Sequence, residues 1–261
     1  MNFSWHNPNF KPIIIAHRGS SASAPENTIA SFLKAVEDQS DAIELDIRIS
    51  LDHHLIVIHD KSINRTTNGR GYISKLNLDD IKRYDAGSWF DPQYAGEKIP
   101  TLSEVLNICK GKVGINIEIK AEADNRTDAI LVKNCLSELK RYRNNDDILI
   151  SSFNKKILEK IREENSNISL GYLYDPIHNY LRNPVKQTMA LGAGYLNVSN
   201  RVVGKRLVEE AHDVGVRVGV YTVNTLNQLK KVVQFNVDAI ITNDPSRTRQ
   251  MLEDINKKAP K

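Results

Sequence analysis

Apolar positions along the chain follow two rhythms. Short β-branched runs alternate with longer segments in which apolar residues return every three or four positions, the patterns of buried strands and of amphipathic helices. Strand-like runs fall at Ile13 to Ala16, Ala42 to Arg48, Leu55 to Ile58, Gly114 to Ile119, Ile148 to Ser151, Ser169 to Leu173, Tyr195 to Val198, Val216 to Tyr221 and Asp238 to Ile241. Helical patterns fall at Asn27 to Gln39, Leu102 to Cys109, Thr127 to Arg143, Lys155 to Glu164, Tyr180 to Leu191, Gly204 to Val214, Leu226 to Phe235 and Ser246 to Glu253.

Connection lengths turn this pattern into a fold. Parallel neighbours need a crossover of a dozen or so residues, usually a helix, whereas antiparallel strands can be joined by a tight turn. Among these links only Ser50 to His54 is that short, so Leu55 to Ile58 is predicted to fold back on Ala42 to Arg48 as a β-hairpin. Eight strands each followed by a helix remain, the order of an α/β protein built as a (β/α)₈ TIM-like barrel. A doubly wound open sheet is the alternative, and eight regular units favour the barrel over it. The interval from Lys61 to Pro100 exceeds an ordinary βα loop of about 2–6 residues and carries its own helical pattern at Leu78 to Tyr84. It reads as a small insertion over the barrel mouth, after the second barrel strand, in a single domain spanning residues 1–261. The tail after Asp254 is expected to fray.

Composition narrows the classes. With 13 Gly and 9 Pro among 261 residues, the chain is far below the roughly 25–30% of low-complexity sequences. The formal charge of +4 is dispersed, with no basic stripe or module of a nucleic-acid binder. The start, MNFSWHNPNFKPIIIA, shows no signal peptide, and no apolar run is long enough for a membrane span. The expectation is a cytoplasmic protein with no stable membrane insertion and no nucleic-acid partner. Cys109 and Cys135 sit in apolar helical patterns without metal-ligand spacing and read as small buried hydrophobes.

Chemistry concentrates at the C-terminal ends of the early strands, where barrel active sites are built. The first strand ends in His17 and Arg18, the second carries Glu44 and Asp46, the hairpin strand ends in His59 and Asp60, and the next runs from Asn116 to Lys120. Period-two alternation places Glu44 and Asp46 on one face, and Asn116, Glu118 and Lys120 on one face of theirs. A hairpin turn centred near Asp52 is expected to set His59 across from Asp46. Inward carboxylates are costly unless paired or metal-bound, so Glu44, Asp46 and Glu118, without a matching run of inward cations, ask for one divalent cation. Oxygen ligands favour Mg²⁺ or Ca²⁺ over zinc. Arg18 and Lys120 supply positive charge for a phosphoryl group. His17 and His59, with ordinary pKa values of about 6.5, can divide general acid and base work. Phe153 and Trp89 are placed near the mouth. Glu26 and Asn27 could assist the site, but Pro-Glu-Asn-Thr before an apolar helical run is also an ordinary helix start, and Glu26 is read as structural. His6, His53, His54, His178 and His212 lack comparable neighbours and are read as surface or helix residues.

In order and spacing these segments resemble the glycerophosphodiester phosphodiesterases. The resemblance is carried by HRGSSASAPENT (His17 to Thr28), ELDIRIS with Glu44 and Asp46, the His59–Asp60 pair followed by NRTTNG (Asn64 to Gly69), PTLSEVL (Pro100 to Leu106) and NIEIK (Asn116 to Lys120). SSF (Ser151 to Phe153), VYTVN (Val220 to Asn224) and ITNDP (Ile241 to Pro245) extend it over nearly the whole chain. It implies a metal-dependent hydrolase that cleaves small-molecule glycerophosphodiesters to glycerol 3-phosphate and an alcohol. His17 and His59 would be acid and base, Glu44, Asp46 and Glu118 the cation ligands, and Arg18 and Lys120 phosphate contacts. Phe153 and Tyr221 are expected on the substrate side; Tyr221 stands where the family often has Trp, and either ring can floor a glycerol-sized pocket. Two rivals are a related phosphodiesterase of lysophospholipid or sphingolipid head groups and a non-catalytic barrel that binds a phosphorylated ligand. The sequence leaves open the oligomeric state, and whether water or the substrate's own hydroxyl attacks.

Overall fold

Ile and Val crowd the strands because both faces of a barrel sheet are covered, by helices outside and by packed side chains within. The computed structural model describes residues 3–6, 12–122, 124–142, 146–179 and 182–258. In chain order its elements are β1 (Ile13–His17), α1 (Ile29–Glu37), β2 (Ala42–Ile49), β3 (Leu55–Val57), α2 (Leu78–Ile81), α3 (Leu102–Cys109), β4 (Gly114–Ile119), α4 (Asn125–Tyr142), β5 (Ile148–Ser152), α5 (Lys155–Glu164), β6 (Ser169–Tyr174), α6 (Pro176–Asn179), α7 (Pro184–Ala190), β7 (Tyr195–Ser199), α8 (Lys205–Asp213), β8 (Arg217–Tyr221), α9 (Leu226–Gln234), β9 (Ala239–Thr242) and α10 (Pro245–Lys258).

The parallel ladder runs β1-β9-β8-β7-β6-β5-β4-β2 and closes through β1 on β2, giving an eight-stranded (β/α)₈ barrel. The extra strand, β3, lies antiparallel on β2 as the short link required. β2 outruns β1: its lower half pairs with β1 up to His17↔Glu44, and above that point β3 takes over the same edge. The turn is centred where expected, but Ile47↔Val57 and Arg48↔Ile56 are the partners. Continuing that count puts Ile58 opposite Asp46, where its N–H donates to the Asp46 carbonyl at 3.0 Å. His59 is therefore one residue beyond the expected position, past the end of β3, where its ring is freed from strand alternation.

Inside, the barrel is layered. Its lower end is apolar, with Ile13, Ile15, Ala42, Leu149, Tyr195, Ala239 and Ile241 packed around Trp5. Trp5 is fully buried; its indole N–H donates to the Asp147 carbonyl at 2.8 Å and its carbonyl accepts from Tyr195 Oη at 2.9 Å. The upper interior is polar and carries the candidate site. The larger core lies between strands and helices and includes both cysteines, whose thiols are buried and unpaired; burial pushes Cys109 up to about 12.

Between β3 and α3 the chain forms α2 and short 3₁₀ turns around a small core of its own, Ile56, Ile58, Ile63, Ile73, Ile81, Ala86 and Ile99. Two helical expectations change. The pattern from Tyr180 to Leu191 becomes α7, starting at Pro184 behind the Asn183 cap; Tyr180 and Leu181 lie outside the described residues. The tail expected to fray continues α10 to Lys258, with Met251, Leu252 and Ile255 packed on the core. Among the described residues no helix is long and apolar enough to cross a membrane.

Candidate active site

β1 delivers His17 to the barrel mouth and the chain then reverses sharply. Arg18 (φ 57°) and Gly19 (φ 79°) are both left-handed. A Cβ on Gly19 would lie 2.6 Å from the backbone carbonyl carbon of Ser31, so only glycine lets this loop pass over the start of α1. That start is fixed by a reciprocal capping box between Thr28 and Ser31. The reversal aims the Arg18 N–H at Glu44 Oε2 (2.9 Å). It also sets Arg18 Nε 3.3 Å from Asp46 Oδ2 and Nη1 2.8 Å from Glu26 Oε1.

Strand register assembles the carboxylates. Glu44 pairs with His17 on one side and Asn116 on the other, and Asp46 pairs with Glu118, which in turn pairs with Ser151. Oxygens of Glu44, Asp46 and Glu118 lie within 4.8 Å of one another, and all three side chains are buried. Sequence reasoning did not foresee how fully cations enter this cluster. Lys120 Nζ is 2.9 Å from Asp46 Oδ1 and also binds Glu118 Oε1. Its reach beyond the end of β4 supplies an inward charge. Burial together with the neighbouring Asp46 and Glu118 charges raises Glu44 well above the usual carboxylate range. Asp46 is driven the other way, because Lys120 and Arg18 together outweigh its burial. Among the described residues, Glu44 Oε1 is buried with no hydrogen-bond partner. Three hard oxygen donors, one of them orphaned, match the ligand chemistry of Mg²⁺ or Ca²⁺.

Both histidines are tethered through Nδ1. Asn243, just after β9, holds His17 Nδ1 at 2.7 Å, leaving Nε2 4.0 Å from Glu44 Oε2. The Asn243 amide oxygen can only accept a hydrogen bond, so Nδ1 donates and, in the neutral ring, Nε2 presents a lone pair. Burial, reinforced by Arg18, lowers His17 to about 4. His59 Nδ1 is 2.7 Å from Asp60 Oδ1; burial lowers this histidine as well, against the opposing pull of Asp46. Arg65 then clamps the carboxylates behind. It donates to Asp60 Oδ2 at 2.7 Å and to both oxygens of Glu26 at 2.8 Å, and with His59 it lowers Asp60 to about 2.

Of the nine side chains singled out for the site, His17, Arg18, Glu44, His59, Glu118, Lys120, Phe153 and Tyr221 line one cavity of about 170 Å³, and Asp46 sits directly behind it. Phe153 and Tyr221 meet edge to face at 6.2 Å. Trp89 is not on this wall; its indole bonds the Ala86 carbonyl and its ring packs on Phe90. Glu26, read as structural, stands behind the cavity between two arginines. Asn27 Nδ2 donates to Asp46 Oδ2 at 2.9 Å. Asn27 thus assists the site, one of the two readings weighed for it; Asn243 and Arg65 were not singled out for their contacts, although each lies in a motif quoted for the family. Of the remaining histidines, His212 has a carboxylate partner after all, Asp238 at 2.7 Å, at the opposite end of the barrel. The side chain of His178 lies outside the described residues.

The model of the "Glycerophosphoryl diester phosphodiesterase family" matches residues 17–247, from His17 through the strand end whose Asn243 tethers it. The chain belongs to this family. A glycerophosphodiester phosphodiesterase of Caldanaerobacter subterraneus subsp. tengcongensis is 36% identical over 241 residues, covering 90% of this chain and 95% of the relative. One of Bacillus subtilis is 32% identical over 251 residues, covering 89% and 84%. The solved structure of an Oleispira antarctica phosphodiesterase in complex with its product sn-glycerol-3-phosphate superposes with a TM-score of 0.87. It is 29% identical, with 94% of this chain and 98% of that one covered. The family places this chain among the phosphoric diester hydrolases.

Proposed function

We propose that this phosphodiesterase hydrolyses water-soluble glycerophosphodiesters to glycerol 3-phosphate and an alcohol, with His17 and His59 as its proton-transfer pair. The observation that carries this is the buried carboxylate triad flanked by two histidines that share one small cavity. Glu44, Asp46 and Glu118 would hold one divalent cation, Mg²⁺ or Ca²⁺. When bound, the cation supplies Lewis-acid neutralisation of phosphate charge.

The chain's own groups supply the rest. His17, neutral and with its outer nitrogen free, takes the proton of the attacking oxygen, whether that of water or of the substrate's own hydroxyl, whose cyclic phosphate water then opens. His59, backed by the Asp60 carboxylate, is the ring better able to carry a proton, and it delivers that proton to the leaving alcohol. Arg18 spends Nε and Nη1 on carboxylates and keeps other N–H groups for a phosphate oxygen. Lys120, paired with Asp46 and Glu118, would add positive charge beside the phosphate. Phe153 and Tyr221 wall the glycerol side.

A cavity of about 170 Å³ is smaller than the usual ligand pocket of roughly 300–1,000 Å³, so it suits the reacting half of a diester. The alcohol would extend into a neighbouring groove of about 690 Å³ that shares Glu118, Lys120 and Phe153 and continues past Asn154 and Lys156. We place the protein in one barrel domain whose 61–100 insertion braces the mouth through Arg65. The free buried cysteines suit a reducing, cytoplasmic setting. Incubation with glycerophosphocholine and, separately, with lysophosphatidylcholine tests the substrate class. Release of glycerol 3-phosphate from the first and little turnover of the second is expected; preference for the lysophospholipid would transfer the site to the lipid head-group reading.

A further inference from the structure

The interior wall between the carboxylates and the apolar floor holds polar atoms that the fold does not satisfy. Asn116 is 1% exposed and Ser151 0% exposed, yet among the described residues Asn116 Oδ1 and Ser151 Oγ have no hydrogen-bond partner. Both side chains line the 170 Å³ cavity. Register sets Asn116 beside Glu44 and Ser151 beside Glu118, with Leu149 of the apolar floor following Asn116 in its row. Buried polar atoms left unpaired cost free energy, and replacing them with apolar groups is often neutral or stabilising. They are understandable where a ligand completes them.

The chemistry of the orphans indicates what that ligand offers. Glu44 Oε1 and Asn116 Oδ1 are acceptors, and Ser151 Oγ can accept as well. The substrate's phosphate, itself an acceptor, cannot satisfy Glu44 Oε1 or Asn116 Oδ1. Water polarised by a cation is a strong donor, and a small hard cation such as Mg²⁺ keeps several of its waters when protein-bound. We propose that Asn116 and Ser151 form the inner wall of the cation site and accept hydrogen bonds from cation-held water. They are positioning residues, set beside Glu44 and Glu118 in the strand register. This rests on the proposal that those three carboxylates hold a divalent cation.

Calorimetric titration of the chelator-stripped full chain with MgCl₂ or CaCl₂ alone, without substrate, tests it. Wild type should bind one cation. Asn116→Leu should weaken binding by about 10- to 100-fold, the usual consequence of losing an outer-shell partner, and Ser151→Ala should weaken it by about tenfold. The cation-free melting temperature of Ser151→Ala should match or exceed wild type, since no protein hydrogen bond is lost. Dissociation constants within twofold of wild type for both variants would overturn the proposal. So would a lower cation-free melting temperature for Ser151→Ala, which would assign its hydroxyl to the fold. No binding by wild type would instead remove the cation site itself, and the inner wall with it.

Discussion

At His17 and His59 the two rings differ in what stands behind them. A neutral amide fixes His17, whereas a carboxylate held by Arg65 backs His59. Replacing either histidine with alanine should lower turnover by about 10²–10⁴-fold, the typical worth of a general acid or base. The two losses should separate with a diester bearing a p-nitrophenol leaving group, which departs without a proton. His59→Ala should recover most of its activity on that substrate and His17→Ala should not. Equal losses on both substrates would refute the division of labour. Arg65 reaches the same chemistry from outside the cavity. Arg65→Ala should reduce kcat by up to about fivefold, the order expected for an exposed charge pair, with little change in KM. Arg65→Lys should recover little, because an ammonium cannot span two carboxylates as a guanidinium fork does. An unchanged kcat for Arg65→Ala would show that Asp60 orients His59 unaided.

Among the elements, strand ends and the turns after them decide where these groups sit. The reversal after β1 is the most demanding. Gly19→Ala should destabilise the protein by about 2–4 kcal/mol, combining a left-handed backbone with a clash against Ser31; denaturant unfolding measures it, and a loss under 1 kcal/mol would mean the loop relaxes freely. Most elements were legible in the sequence because period-two and period-3.6 patterns are strong in buried strands and amphipathic helices: α3 and α5 begin and end at the residues expected. Inward placement of Glu44, Asp46 and Glu118 followed from alternation alone. What escaped was set by contacts distant in sequence or by geometry beyond a strand's end. His59 lies past β3, where strand counting no longer fixes side-chain direction. Asn243 meets His17 across 226 residues, and no local periodicity signals that pairing. Arg65 lies in a segment without regular structure, so only its motif marked it.

For the whole molecule, the net charge of +4 is no guide to the field at the mouth. Three carboxylates are buried there against two cations, and Glu44 takes up the imbalance as a raised pKa. The barrel provides the rigid frame: its apolar floor, plugged by Trp5, seals the lower end and leaves access from the mouth. A divalent cation would turn the crowded triad into a centre suited to an anionic diester. The most direct test is release of glycerol 3-phosphate from glycerophosphocholine by protein stripped with a chelator, before and after Mg²⁺ or Ca²⁺ is restored. Negligible release without the cation, and its return on addition, is the predicted result. Full activity in the stripped protein, or none under either condition, would contradict it.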